Sequence, residues 1–435
     1  MARTSAAPVP VVRLREYETA VVEGVRLGPA DRARCADAAL AGRLAVRELA
    51  RDRLEVTAHQ HVGVVRLDAC EIRVRPKYLG EDLDVLRMLA YAADGTCPPL
   101  AAARSAAAGA PHLRDLVALL VTEQAERLLG HGVRHDYVPV EADLPSVRGR
   151  LLPDRQALRH FGRLDKLACR YDEHDADVLD NRLCAAATEL AARTTADPAV
   201  RARARRAAAR FAGLAPGPLG DPRSALARLD YHRHNEHYRP AHRWAALLLT
   251  GGGIAGLFAH GPLASRAFLV DMNTLFEDFT TRLLTEAASG TGWRVHGQAG
   301  RSHVLHDERT DRPYSEVRPD ALLTRDGGAL CRPVDVKYKL YDASPGGRKL
   351  ATGDLYQAFL YAHALARQPS GKTPTCVLIH PGGPGAPRAS VAVRRWDGRT
   401  AARVRSLALD LPAVLRELAG DRGALLRGLW AQLLD

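Results

Sequence analysis

The sequence predicts an α+β chain of several domains. A β-rich N-terminal region (1–110) is followed by a mainly helical middle (111–265) and a C-terminal α/β unit (266–435) with a central mixed sheet. Three observations predict this. Short apolar runs recur near the N-terminus, helical spacing dominates the middle, and the period switches from helix to strand and back in the last third. With 435 residues, the chain is long enough for about two or three separate cores. Its 46% hydrophobic and 26% charged residues are those of an ordinary globular protein. No apolar run approaches the ~18 residues of a membrane span. Met1–Pro10 lacks the basic flank and apolar stretch of a signal peptide, so the expected location is cytoplasmic.

In the first region Val11–Leu14, Leu54–Ala58, Val62–Leu67 and Glu71–Val74 read as strands. Ile72-Arg73-Val74-Arg75 alternates and stops at Pro76, which has no N–H to give a ladder. A helical patch is expected over Pro29–Leu49. From Asp82 onward Leu83, Leu86, Leu89 and Ala90 take helical spacing, and an Ala/Pro-rich linker follows over Thr96–Pro111. Leu113–Leu129 reads as an amphipathic helix stopped by Gly130. An extended stretch, His135–Leu152, precedes helices at Val178–Arg193 and Pro198–Phe211 and a loop at Ala215–Asp221. Helical pattern resumes at Ser224–Leu229 and Arg239–Leu249 and breaks at Gly251-Gly252-Gly253.

The last third opens with a helix, Asn273–Ala288, that places Leu275, Phe276, Phe279, Leu283 and Leu284 on one face. Strands follow at Trp293–His296, Val317–Thr324 and Leu330–Tyr338, the last two separated by a turn at Asp326-Gly327-Gly328. A helix over Asp354–Arg367, a strand over Thr375–His380 and a helical tail, Ala413–Leu434, complete the chain.

Sixty-two Lys and Arg against fifty Asp and Glu leave a charge of +12, which favours a polyanionic partner because each neutralised phosphate releases counterions. Arginine supplies nearly all of it. Together with alanine-rich runs such as Ala101–Ala110, this makes part of the excess a compositional bias. The seven scattered cysteines lack CxxC spacing, which argues against a disulfide framework and a zinc ribbon and for reduced thiols. His232, His234 and His237, with Tyr231 and Tyr238, read as a polar surface segment, since neither Cys nor an HExxH pattern accompanies them. Arg201–Arg210 reads as a solvated helix face rather than a basic stripe along DNA, an alternative its arginines leave open, and Lys166, Arg170 and Asp175 read as surface charges. The chain has no GxSxG elbow, and its Gly-Gly-Gly lacks the Gly-Lys-Ser/Thr of a P-loop.

Against this background Asp320, Asp335 and Lys337 stand out. Residues i and i+2 of a strand share a face, so Asp335 and Lys337 point one way, while Val334, Val336 and Tyr338 point to a core. Asp320 lies fifteen positions earlier, across the Gly-Gly turn, where a hairpin brings it beside Asp335. Of only six lysines, two (Lys337 and Lys339) fall in the hexapeptide Val334–Lys339. A chain that otherwise uses arginine and here demands lysine points to chemistry. Phosphodiester hydrolysis needs a hard divalent cation on oxygen ligands, and a lysine beside it orients or deprotonates water and offsets developing charge. Glu277, set among core phenylalanines on the preceding helix, is a further candidate metal ligand, whereas Asp278 reads as solvated or structural. Gln357, near a helix start, is placed to hold a water or a phosphate oxygen.

Together these segments resemble the PD-(D/E)xK nuclease superfamily, through Pro319-Asp320 and Asp335-Val336-Lys337. More narrowly the chain resembles the McrC family, the nuclease subunits of McrBC modification-dependent (type IV) restriction systems. That likeness rests on Ile72–Lys77, Val147-Arg148-Gly149-Arg150, Asp180-Asn181-Arg182, Met272–Phe279, Arg318-Pro319-Asp320, Asp335–Lys339 and Asp354-Leu355-Tyr356-Gln357, in the family's order. The resemblance implies a PD-(D/E)xK fold in the C-terminal unit and a Mg²⁺-dependent endonuclease of anti-phage defence, with Mn²⁺ as a substitute. Its substrate would be double-stranded DNA carrying modified cytosine. Asp320, Asp335, Lys337, Glu277 and Gln357 would be catalytic, with the metal on Asp320, Asp335 and Glu277. It also implies that region 1–110, in which Glu16–Glu18 and Arg73–Lys77 lie, docks on an McrB-like AAA+ GTPase hexamer and stimulates its hydrolysis. Two other readings stay open: a non-cutting adaptor that activates an AAA+ partner or binds DNA, and a stand-alone nuclease whose N-terminal region serves another partner.

Overall fold

The computed structural model describes residues 9–50, 52–80, 82–97, 113–163, 165–250, 267–298, 300–341, 350–368, 371–383 and 389–434. Most of the linker expected over Thr96–Pro111, and all of the glycine break at 251–253, lie outside the described residues. The fold is mixed α+β and divides into two compact units. One comprises residues 1–63, 67–105 and 270–435, and the other residues 64–66 and 106–269. The N-terminal strands and the C-terminal third therefore share one unit, where the sequence pattern separates them at 110 and 265.

The N-terminal segment forms β1 (Val11–Arg15), β2 (Thr19–Glu23), β3 (Leu44–Ala50), β4 (Arg53–Ala58), β5 (His61–Arg66) and β6 (Glu71–Arg75). β1 runs parallel to β6, with Val12 opposite Ile72 and Leu14 opposite Val74, so the apolar positions of both strands share a buried face. β2, β4 and β3 make a small antiparallel sheet. The helical patch expected over Pro29–Leu49 is shorter: helices cover Pro29–Cys35 and Ala38–Ala41, and the remainder is β3. The physical reason is pairing. Leu44–Glu48 lies against β4, whose Leu54 and Val56 are fully buried, and a ladder partner overrides helical propensity.

In the second unit the helices Leu113–His131, Leu179–Thr194, Pro198–Leu214 and Arg239–Leu249 pack on one another around Leu128, Cys184, Ala207, Phe211 and Tyr238. A three-stranded antiparallel sheet, β7 (Asp136–Leu144), β8 (Arg150–Leu151) and β9 (Leu167–Asp175), runs in the order β7-β9-β8. Asp180 and Asn181 are structural here. Asp180 accepts from Arg134 (2.6 Å) and Asn235 (3.0 Å), and Asn181 accepts from Tyr238 Oη at 2.7 Å, so three segments are knitted under the helices. In the Val147–Arg150 block Gly149 has φ +65°, and a Cβ there would collide with the Arg170 carbonyl, so only glycine fits. Lys166 and Arg170 are exposed.

The chain returns through β10 (Ala267–Asp271), the last strand of the four-stranded sheet β1-β6-β5-β10. Asp271 caps the helix Met272–Ala287 by accepting the Asn273 and Thr274 N–H groups. Then come β11 (Arg294–Gly297), β12 (Arg301–Asp307), β13 (Arg312–Val317), β14 (Ala321–Arg325), β15 (Leu330–Val336), β16 (Thr375–Pro381), β17 (Ser390–Arg394) and β18 (Thr400–Leu409). Six of them form a mixed sheet, β11-β14-β15-β16-β18-β17, parallel only across β15, β16 and β18. The helix Thr352–Leu365 covers one face, burying Ala358, Tyr361, Ala362 and Leu365 against Cys331, Leu378 and Val404. The expected strand Val317–Thr324 is broken. β13 ends at Val317 and β14 begins at Ala321, because Pro319 offers no N–H for a ladder. The tail is two helices, Leu411–Leu418 and Arg422–Leu434, parted near Gly420.

A buried contact ties the first strands to β15. Glu16, 3% exposed, accepts the Lys77 N–H at 2.8 Å and the Tyr338 hydroxyl at 3.3 Å, while its other oxygen is buried without a hydrogen-bond partner. The Tyr78 ring meets the Tyr338 ring edge-on at 4.9 Å, and its hydroxyl accepts from the Leu340 N–H at 3.2 Å. Burial pushes the Glu16 carboxyl up to about 7, against the lowering effect of the Lys77 N–H and the Tyr338 hydroxyl.

Two stability predictions follow from this packing. Phe279 is fully buried, with the Tyr91 ring 5.3 Å away, so Phe279→Ala should cost about 3–5 kcal/mol in denaturant titration. For Glu16 the folded pKa lies above the unfolded value of 4.5, so its contribution is full below that value and is lost as pH rises through about 7. Glu16→Gln should accordingly gain on wild type from about pH 5 to about pH 8, by up to roughly 3 kcal/mol, in thermal melts across that range.

Candidate active site

The antiparallel register of β14 and β15 pairs Ala321 with Val334, and one further step sets Asp320 across from Asp335. The Val336 N–H donates to Asp320 Oδ2 at 2.7 Å, so the backbone of the lysine strand itself holds this carboxylate. On its other side the Asp320 carbonyl accepts the Gln298 N–H at 2.9 Å. Gln298 lies just past β11 in a left-handed conformation, φ +48°, and its amide donates to Glu277 Oε2 at 3.4 Å.

Asp335 is 1% exposed, on a strand buried from Cys331 to Val336. Lys337 Nζ donates to its Oδ1 at 3.0 Å, while Oδ2 is buried and has no hydrogen-bond partner. The Lys337 N–H donates to the Ile379 carbonyl at 2.9 Å and so continues the ladder beyond the end of β15. Lys339 has a different role: it pairs with Asp354 at 2.5 Å, and the Tyr341 hydroxyl donates to the same carboxylate.

The electrostatics are those of crowded acids. Burial pushes the Asp335 carboxyl up to about 7; Asp320 adds to the rise and Lys337 opposes it. Glu277 is likewise raised to about 7, by burial first and then by Asp320, with Lys337 again opposing. Burial draws the Lys337 ammonium down, but Asp335 and Asp320 outweigh it and the net shift is upward. Asp278, half-buried, is raised by burial alone.

Asp320, Asp335 and Lys337 thus form one hydrogen-bonded set, and Glu277 joins it through Gln298. Gln357 reaches it indirectly. Its amide donates to Tyr361 Oη at 2.8 Å, and that hydroxyl donates to the Arg318 carbonyl at 2.9 Å, holding the segment that carries Asp320. Among the described residues no three His, Cys, Asp or Glu side chains are gathered closely enough to hold a metal ion, so the acids are a loose set rather than a preformed cage. Sequence reasoning missed Gln298 and Tyr361. Gln298 acts from an irregular backbone position with no periodic signature, whereas Tyr361 lies one helical turn beyond Gln357, a spacing that marks a shared face. The site can concentrate negative potential beside one ammonium group, which suits a divalent cation and the anion it engages.

The wider histidine group lies elsewhere. His131, His135, His232, His234 and His237 line an open cavity of about 640 Å³ in the second unit. No helix among the described residues is long and apolar enough to cross a membrane.

Comparison with known proteins bears on identity. No curated protein matches the chain. Among solved structures, a chain of the half-complex from a tetradecameric assembly of Thermococcus gammatolerans McrB AAA+ hexamers with bound McrC superposes with a TM-score of 0.58. It is 18% identical, and the match covers 95% of this chain and all of that one. A chain of the Thermococcus gammatolerans McrBC complex gives a TM-score of 0.45 at 21% identity, covering 64% of this chain and 88% of that one. The family model for McrBC 5-methylcytosine restriction system components matches residues 56–381, well over half of the chain. The chain belongs to the family of McrBC 5-methylcytosine restriction system components.

Proposed function

We propose that the chain is the McrC-like, DNA-cutting subunit of a modification-dependent restriction complex, with a Mg²⁺-dependent PD-(D/E)xK endonuclease site at Asp320, Asp335 and Lys337. The observation that carries this reading is the unpartnered, buried Oδ2 of Asp335, beside a lysine that satisfies only Oδ1 and facing a second acid fixed by the strand backbone. A buried carboxylate with an open lone pair, crowded by a second acid, fits a hard cation. Asp320, Asp335 and Glu277 would hold Mg²⁺, or Mn²⁺ in its place. The bound ion would lower the pKa of a water and polarise the phosphoryl oxygens.

The chain's own residues supply the rest. The neighbouring carboxylates keep Lys337 in its ammonium form, which suits it to offset charge developing on a phosphoryl oxygen. Asp320 is oriented by the Val336 N–H and needs little reorganisation. Gln357 positions that segment through Tyr361 and the Arg318 carbonyl, so its effect on rate is indirect. The mixed six-stranded sheet with an Asp-x-Lys strand supports the nuclease-fold reading. The T. gammatolerans likeness, in an assembly of McrB AAA+ hexamers with bound McrC, supports an McrB-like AAA+ partner for this chain, and region 1–110 would be its dock. The family's 5-methylcytosine description supports double-stranded DNA with modified cytosine as the substrate.

One observation favours a second reading, a non-cutting adaptor that activates the AAA+ partner or binds DNA: the acids are not gathered into a closed ligand set. The two are separated by assaying methylated duplex with the McrB-like partner, GTP and Mg²⁺. Asp335→Ala and Lys337→Ala should each lower cleavage at least about 100-fold while leaving stimulated GTP hydrolysis intact. Wild type that stimulates hydrolysis yet cuts nothing would establish the adaptor. Independently of activity, Mg²⁺ should raise the melting temperature of wild type and not of Asp335→Ala, since a ligand that binds only the folded site stabilises it.

A further inference from the structure

A cavity of about 630 Å³ opens at the other end of the face that carries the acids. Arg294, His296, Thr324, Arg325 and Arg367 line it, and Asp326 is the single carboxylate among its described lining residues, 3.6 Å from Arg325. Arg294, His296, Arg325 and Arg367 are all solvent-exposed.

Sheet register connects this cavity to the site. Directly paired residues of an antiparallel ladder lie on the same face. Arg294 is opposite Thr324, His296 is opposite Leu322, and Thr324 is opposite Cys331. Alternation carries the same face from Thr324 through Leu322 to Asp320, and from Cys331 through Pro333 to Asp335. The cationic cavity and the acids therefore occupy opposite ends of one sheet face. Four residues of strand separate them, about 13 Å at ~3.3 Å per residue. β11 is the edge strand that joins the two, with Arg294 at the cavity and Gln298, just past its end, bonded to Asp320 and Glu277. The His296 ring is fixed by a 2.9 Å hydrogen bond to Thr324 Oγ1, and Arg367 donates to the Gly328 carbonyl at 3.4 Å.

We propose that this cavity is a phosphate-binding site for the DNA backbone, engaging a phosphodiester about 13 Å along the face from the one at the acids. Guanidinium forks match phosphate oxygens in a bidentate way, and three of them around a cavity with one carboxylate leave a net positive site. The placement rests on the nuclease reading, because the distance is counted from Asp320 and Asp335; the ligand chemistry does not.

The test is fluorescence anisotropy of a labelled duplex with the full-length chain in EDTA, which separates binding from cutting. The triple variant Arg294→Ala/Arg325→Ala/Arg367→Ala should bind at least about tenfold more weakly, with a salt slope shallower by about 2–3. Arg294→Glu alone, at an exposed position, should reproduce the direction of the loss, which guards against a folding defect in the triple variant. An unchanged slope and affinity in both variants, or no detectable duplex binding by wild type at low ionic strength, would overturn the proposal. So would displacement of the duplex by inorganic phosphate as readily as by competitor DNA, which would mark a free-anion site. Asp335→Ala measured in parallel keeps the two readings apart. If that variant still cuts in the assay with partner, GTP and Mg²⁺ while the arginine variants lose binding in EDTA, the catalytic assignment fails and the cavity stands.

Discussion

The arrangement of the site depends on a single constraint: a carboxylate held almost out of water at the end of a strand buried on both faces. β15 lies between β14 and β16 and under the helix Thr352–Leu365, so Asp335 cannot turn to solvent. Burying an ion costs several kcal/mol unless charge and hydrogen bonds compensate it. Lys337 compensates one oxygen, from two residues along the same face. Asp320 makes the problem worse, and the fold accepts this by tying Asp320 to the Val336 N–H. A fold seeking only stability would place an apolar residue at 335, as it does at Val334 and Val336. Retaining three acids around one ammonium, two of them shifted to about 7, is the pattern expected where electrostatics serve chemistry.

A second half-satisfied acid, Glu16, meets the opposite face of the same segment. Neighbouring residues on a strand point apart, so Lys337 faces Asp335 while Tyr338 faces Glu16 and the N-terminal strands. Tyr338 is clamped by Glu16 and by the ring of Tyr78, and Phe276 packs 5.5 Å from it. Lys337 and Tyr338 are neighbours in the chain, so the Glu16 and Tyr78 contacts help hold the backbone that carries Lys337. The N-terminal strands thus belong to the support of the site, which explains why they fall in one compact unit with the C-terminal third.

Much of this was readable from residue order alone, for physical reasons that differ by element. The helices with strong apolar periodicity, such as Met272–Ala287 and Leu179–Thr194, match their expected spans to within about two residues. So do β6 and β16, whose residues are buried in alternation or throughout. Exposed strands were not readable. β9, β12 and β13 carry charged or polar residues at most positions and exist because a partner strand satisfies their backbone, a property their own composition does not encode. At the site the acids and lysine were visible because Lys is scarce and the frame is apolar. Gln298 was invisible because its position comes from a left-handed backbone beyond β11. The union of the two ends of the chain in one unit is a long-range packing outcome that no local window contains.

Where each cation sits matters more than how many there are. An arginine-rich composition makes the net charge of +12 a poor guide to function, since most guanidinium groups are solvated or paired, as Arg170 is with Glu141 and Arg203 with Glu126. On the proposed reading, two kinds of cation take different places on this face. Lysine, a compact point charge, stands next to the buried acids, where a planar fork would need more room and more acceptors than Asp335 offers. Arginine gathers at the far end of the same face, around an open cavity where forks can meet phosphate oxygens in water. On that reading, an ammonium at one end of the face and guanidinium groups at the other are what a polyanionic chain laid along β11 would require.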